Sequence, residues 1–163
     1  MKAAVYALML APLGLAGCVT AETETPVATA AADTTPKTPL DERISYYADH
    51  YSVPESLIRR SIARESSYNP KAHHGPYWGL MQIRVDTARG LGYHGDGKGL
   101  LDAEANLKYA TAYLSNAYVV AEGDEKRALQ LYAGGYFYEA RRKGLLDQLK
   151  KADDGEKKAD DAE

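Results

Sequence analysis

The chain has 163 residues, with 20 Lys and Arg against 23 Asp and Glu for a formal net charge of −3, and its one cysteine is Cys18. A lone cysteine excludes a disulfide within the chain, a cysteine-based metal cluster and a cysteine nucleophile anywhere after it. Residues 41–149 carry fourteen basic and fourteen acidic side chains, and a neutral stretch without a basic stripe argues against nucleic acid as a partner.

At the amino terminus Lys2 gives a positive start and residues 3–13 form an apolar run too short for a permanent membrane span. Leu15-Ala16-Gly17-Cys18 follows as a small-residue cleavage site ending in cysteine. This segment resembles a bacterial lipoprotein signal peptide over residues 1–17. The resemblance implies cleavage before Cys18 and lipidation of its sulfur and new amino group. Several acyl chains together make a stable membrane anchor where one does not. Val19, standing where an acidic residue would redirect sorting, favours the periplasmic face of the outer membrane. Residues 18–40, almost entirely Ala, Thr, Pro and Glu after the cysteine, have no apolar period and read as an extended, solvated tether.

Ile44, Tyr47, Ala48 and Tyr51 recur at three-and-four spacing and predict a short amphipathic helix over 41–51. Pro54, tolerated in a first turn, opens a second helix that runs to Ser66. In it Leu57, Ile58, Ser61 and Ile62 precede Glu65 by eight, seven, four and three positions, so the carboxylate shares their face. Arg59, Arg60 and Arg64 take other faces. A carboxyl group on a buried stripe at a helix C-terminus loses water and meets the negative end of the dipole, conditions under which such a group keeps its proton. A general acid needs that state to protonate a leaving oxygen, which is worth about two to four powers of ten in rate. The structural alternative is an ion pair of Glu65 with Arg64 or Lys71.

Tyr77 and Trp78 offer flat surfaces that suit the apolar faces of sugar rings, and Gln82 can both donate and accept hydrogen bonds. Between them Gly79 permits close backbone approach. His50, His73, His74 and His94 include no pair at the i, i+4 spacing of a helical zinc site, so neither a metal nor another cofactor is expected. Residues 86–91 predict a short helix, and the glycine-rich loop over 90–99 lacks the Gly-Lys-Ser/Thr pattern of a phosphate cradle. Asp102 caps a helix to about residue 122 with Leu107, Ala110, Leu114 and Ala117 as its stripe. Gly123 stops it, and Asp124 caps the next, which carries Ala128, Leu129 and Tyr132. After Gly134-Gly135 a last helix is expected over about 136–150 with Leu145, Leu146 and Leu149, and residues 150–163, charged in both signs, read as a frayed tail. No strand-like alternation of useful length appears. The fold class is therefore mainly α, with one modest core over residues 41–149.

Glu65-Ser66 at a helix end, Asn69-Pro70, and Gly79-Leu80-Met81-Gln82-Ile83 at this distance resemble the soluble lytic transglycosylase family, relatives of goose-type lysozyme. Asp102, Asn106, Tyr113 and Leu114 fall where that family has its next long helix, and Ala133-Gly134 where its Ala-Tyr-Asn-Ala-Gly stretch lies. The resemblance implies a lysozyme-like helical domain with a substrate groove. It also implies cleavage of the β-1,4 bond between N-acetylmuramic acid and N-acetylglucosamine in peptidoglycan glycan strands. Glu65 would protonate the glycosidic oxygen, the substrate's acetamido oxygen would stabilise the intermediate, and ionised Glu65 would take the C6-hydroxyl proton to give a 1,6-anhydro product. Ser66 would orient the acid or touch substrate, and Met81 and Gln82 would belong to the sugar subsites. The chain departs from the family at Leu131-Tyr132-Ala133-Gly134, where Tyr-Asn-Ala-Gly is usual. Tyr132, Tyr136 and Tyr138 are the candidates to supply the missing contacts. Two other readings stand beside this one. One is a lysozyme-type hydrolase in which Asp86, Asp96 or Asp102 positions water. The other is a non-catalytic envelope lipoprotein that binds peptidoglycan or scaffolds an envelope-spanning secretion machinery.

Overall fold

The computed structural model describes residues 37–152. The expected signal peptide, Cys18 and most of the tether and tail lie outside the described residues. Thr38 caps the first helix: its hydroxyl accepts from the Asp41 amide while the Asp41 carboxylate accepts from the Thr38 amide, a reciprocal capping box. With Pro39 in the first turn, this cap begins helix α1 (Pro39–Tyr51) two residues before the position that apolar spacing predicts. Helix α2 (Glu55–Ser66) follows, with Leu57, Ile58 and Ile62 fully buried against the core. Burying such a side chain stabilises the fold by about 2 kcal/mol each.

Helix α3 (Val85–Gly90) leads to a 3-10 turn at Gly99–Leu101 and then to α4 (Ala103–Val120), the longest helix among the described residues. Asp102 caps α4 as predicted, accepting from the Ala105 amide at 2.9 Å. Ten of the α4 side chains are buried, spread over more than one face, three of them alanines. A helix of that pattern belongs in the middle of a fold, and α4 packs against α1, α3, α5 and α6. Asp124 caps α5 (Glu125–Gly134) through the Arg127 amide at 2.8 Å.

Three features differ from the sequence expectation. The last helix, α6 (Phe137–Lys143), stops seven residues early because Gly144 takes φ +69°. There the Leu145 amide reaches the Ala140 carbonyl and the Gly144 amide reaches Arg141, the paired bonds of a Schellman cap. The packed chain also runs past the expected start of the tail: Ala152 is 1% exposed, and its amide and carbonyl bond to Leu91 O and the Tyr51 hydroxyl. Finally, a small antiparallel sheet lies between α2 and α3, made of β1 (His73–His74), β2 (Tyr77–Trp78) and β3 (Ile83–Arg84) in that order. Strands two residues long leave no alternation to read. Their signature is instead the turn Gly75-Pro76, with glycine at φ +59° in the first central position, where hairpins of the II′ kind require it.

Candidate active site

Glu65 sits in the last turn of α2, and the chain reverses directly after it through two consecutive left-handed residues, Ser67 at φ 50° and Tyr68 at φ 66°. The stripe ends one turn too soon to carry the carboxylate into the core. Its side chain stays 23% exposed at the rim, and Nε and Nη2 of Arg64 both donate to Oε1, at 3.0 and 2.5 Å. The buried position expected from helical spacing is thus corrected to one at the rim, paired with Arg64. Its second oxygen, Oε2, has no hydrogen-bond partner among the described residues.

Under the site, the Gly79–Gln82 loop is fixed by α4. Gly79 has φ +74°, and a Cβ there would lie 2.2 Å from both the Asn106 amide nitrogen and the Leu100 carbonyl. Asn106 is fully buried: its Nδ2 donates to Trp78 O at 2.7 Å and Leu100 O at 2.9 Å, and its Oδ1 accepts from the Met81 amide at 2.9 Å. Met81 itself is fully buried, its thioether accepting from the Thr111 hydroxyl and its carbonyl from the Tyr132 hydroxyl at 2.7 Å. What Met81 gives the cleft is therefore a held backbone, with its side chain turned under the loop.

Gln82 adopts φ 50°, a left-handed conformation that costs a non-glycine residue about 1 kcal/mol or more. Three side-chain bonds hold it there. Its Nε2 donates to Ala72 O at 3.1 Å and Gly79 O at 2.8 Å. Both partners are carbonyls, which only accept, so the amide orientation is fixed and Oε1 is the atom facing His74 Nδ1 at 2.8 Å. That nitrogen must carry the hydrogen. The neutral His74 ring accordingly keeps its lone pair on Nε2.

The cleft has two adjoining lobes. The inner one, ≈340 Å³, is lined by Glu65, His74, Tyr77, Gln82, Tyr132 and Ala133. The outer one, ≈450 Å³, shares Tyr77, Gln82, Tyr132 and Ala133 and adds Arg84, Asp86, Tyr113 and Gly135 among others. Burial, and after it the charge of Glu65, pushes the Tyr132 phenol well up, so it remains a neutral donor. Of the residues named from the sequence, Glu65, Gln82 and Tyr132 meet here. Ser66 is half-buried beside them, its hydroxyl turned back to Ile62 O at 3.3 Å. Tyr136 is buried, its hydroxyl accepting from Asn116 at 3.1 Å, and Tyr138 is 79% exposed on α6 beside a separate hollow.

His74 and Tyr113 join the site without having been expected there. The Gly75-Pro76 turn brings His74 opposite Tyr77, and that dipeptide was its available signal. Tyr113 follows Asn106 by seven positions on α4, the same helical face. Its ring stands edge-on to Tyr132, centroids 5.4 Å apart, and its hydroxyl makes no hydrogen bond among the described residues. Of the aspartates considered for water activation, Asp96 accepts from the Gly99 amide and Asp102 caps α4. Asp86 lines the outer lobe, its side chain 80% exposed. Among the described residues no three or more His, Cys, Asp or Glu gather closely enough to hold a metal ion.

A family model described as "Transglycosylase SLT domain" matches residues 42–154. No solved structure matches the chain.

Proposed function

The chain belongs to the transglycosylase SLT family, whose model covers residues 42–154 of 163, and on that premise we propose that it is a peptidoglycan lytic transglycosylase with Glu65 as its general acid and base. The observation that carries this reading is the inner lobe, where Glu65 is the one carboxylate among tyrosines, an amide and an imidazole. A two-carboxylate hydrolase needs a second acid facing the same bond. Asp86 lines the other lobe.

Oε1 is committed to Arg64, so proton transfer runs through Oε2. From there Glu65 protonates the oxygen leaving C1 of the muramyl residue, and the C1–O bond breaks. The acetamido oxygen of the same sugar closes on C1, and Arg64 stabilises the carboxylate left behind. Oε2 then takes the proton of the C6 hydroxyl as that oxygen displaces the acetamido group, which gives the 1,6-anhydro sugar and returns Glu65 to its acid form. No water is consumed, so the reaction is that of a carbon–oxygen lyase.

Tyr77 is 41% exposed and borders both lobes, the position of a platform for sugar rings. The Tyr113 hydroxyl and the His74 Nε2 are polar groups available to meet acetamido and hydroxyl groups where the family's Asn is missing. Tyr132 holds the Met81 backbone, and Tyr136, its centroid 4.6 Å from Tyr113, steadies that ring from behind. Ser66 fixes the helix end that presents Glu65. We also propose that Cys18 is lipidated and holds the domain at the periplasmic face of the outer membrane, which mass spectrometry of the amino-terminal peptide checks.

Digestion of isolated sacculi with mass analysis of the fragments tests the chemistry. Wild type should release 1,6-anhydromuramoyl products, and Glu65→Gln should be slower by at least about a hundredfold. Reducing-end sugars would establish the hydrolase reading instead. Equal solubilisation by both forms would end the enzymatic reading, and binding of wall by both without cleavage would leave a binding module.

A further inference from the structure

Gly135 borders the outer lobe of the cleft and also a second, shallower hollow of ≈470 Å³ on the α5–α6 side. It forms a low saddle between them: its φ of +86° reserves the position for glycine, and a Cβ on neighbouring Gly134 would meet nothing within 4 Å. The hollow is lined by Arg127, Tyr138, Glu139, Arg141 and Arg142 among others. Glu139 is already spoken for. Arg127 and Lys143 both bridge to it, and the Arg127 bond foremost holds its carboxyl below the usual range.

Arg141 and Arg142 are different. Arg43, Arg59, Arg60, Arg64, Arg84 and Arg127 each form a salt bridge, and Arg89 donates to the Gly95 carbonyl. Among the described residues Arg141 and Arg142 alone of the arginines have neither kind of partner, and both are exposed. In a stretch whose net charge is zero, two exposed guanidinium groups with no salt bridge or hydrogen bond among the described residues stand beyond the outer lobe of the cleft. In an intact strand the lactyl carboxyl of each muramyl sugar is taken up in the amide to its peptide, so the sugars offer them no charge. A peptide attached to a muramyl residue does, through its free carboxylates, and a cut after a stem-bearing muramyl sugar brings that stem to the cleft.

We propose that this hollow binds the anionic peptide stem of the muramyl residue, with Arg141 and Arg142 pairing its carboxylates and Tyr138 forming the apolar wall. The proposal rests on peptidoglycan being the substrate, and the test separates the two. The full chain is given glycan strands with stems intact and strands stripped by an amidase and then amidated at the freed lactyl carboxyls so that they carry no charge, and both cleavage and equilibrium binding are measured. Intact strands should be preferred about fivefold in kcat/KM, the scale of two exposed ion pairs, with the same preference in binding. In Arg141→Gln/Arg142→Gln, checked by circular dichroism for an unchanged fold, the intact-to-stripped ratio should fall to near one. Arg141→Lys/Arg142→Lys should keep most of it, and raised salt should erase it. A wild-type ratio of one, or a ratio that survives in the glutamine variant, overturns the proposal while cleavage of both strands upholds the enzymatic reading. Arginine-dependent binding of stems without any cleavage does the reverse. Arginine-dependent sedimentation with anionic phosphatidylglycerol vesicles, in the absence of stem preference, would assign the surface to a membrane and overturn the proposal too.

Discussion

Asn106 and Asn116 lie ten residues apart on α4, both buried, and each uses its amide to tie down backbone from elsewhere in the chain. Asn106 gathers Trp78, Leu100 and Met81, so its bonds converge on the loop beneath the cleft. Asn116 takes both the amide and the carbonyl of Lys150, at 2.9 Å each, and the Tyr136 hydroxyl. Its bonds latch the carboxy-terminal end of the described residues. The side chain, the burial and the kind of bond are alike. What separates a site-building residue from a frame-holding one is where the clamped backbone leads.

Substituting each asparagine shows whether that distinction holds. Asn106→Ala leaves one amide and two carbonyls unpaired in the interior; we expect a loss of about 3–5 kcal/mol in chemical denaturation. Wall-digesting activity should fall at least about tenfold as the Gly79–Gln82 loop shifts. Asn116→Ala should cost about 2 kcal/mol, with specific activity of the folded protein within about twofold of wild type. Equal losses of activity in the two variants would break the comparison. A third site, remote from both, sharpens it through pH. Asp41 is held well below its ordinary value of 3.8 by its bond from Thr38, then by Arg59. A depressed folded pKa contributes stability that is present above that value and is lost as pH falls below it. The melting temperature of wild type should therefore drop more steeply below about pH 4 than that of Asp41→Asn, by a few degrees, while activity at neutral pH stays equal.

Much of the helical frame was written in the sequence because local physics decides it. The spacing of Ile44, Tyr47, Ala48 and Tyr51, and the caps at Asp102 and Asp124, place α1, α4 and α5 within a residue or two. Gly144 was an equally local stop signal, but the leucines beyond it suggested continuation; Leu145 and Leu149 instead pack from a turn and Leu146 stays exposed. The site was legible in the residues whose neighbours in sequence define it: Glu65 at a helix end, and Gln82 after glycine. Periodicity put Glu65 on the right face and missed how far along that face the core extends. His74 and Tyr113 depend on a hairpin folding back and on α4 passing beneath it; Gly75-Pro76 signals the turn and the spacing from Asn106 the face, but neither tells which segments they bring together.

The bond between His74 and Gln82 decides which nitrogen the imidazole can offer a ligand. With the Nδ1 hydrogen committed to Oε1, the neutral ring has one lone pair left, on Nε2. The same amide pins the left-handed kink at Gln82 through Ala72 and Gly79, so one side chain sets both the turn of the loop and the tautomer of the ring beside it.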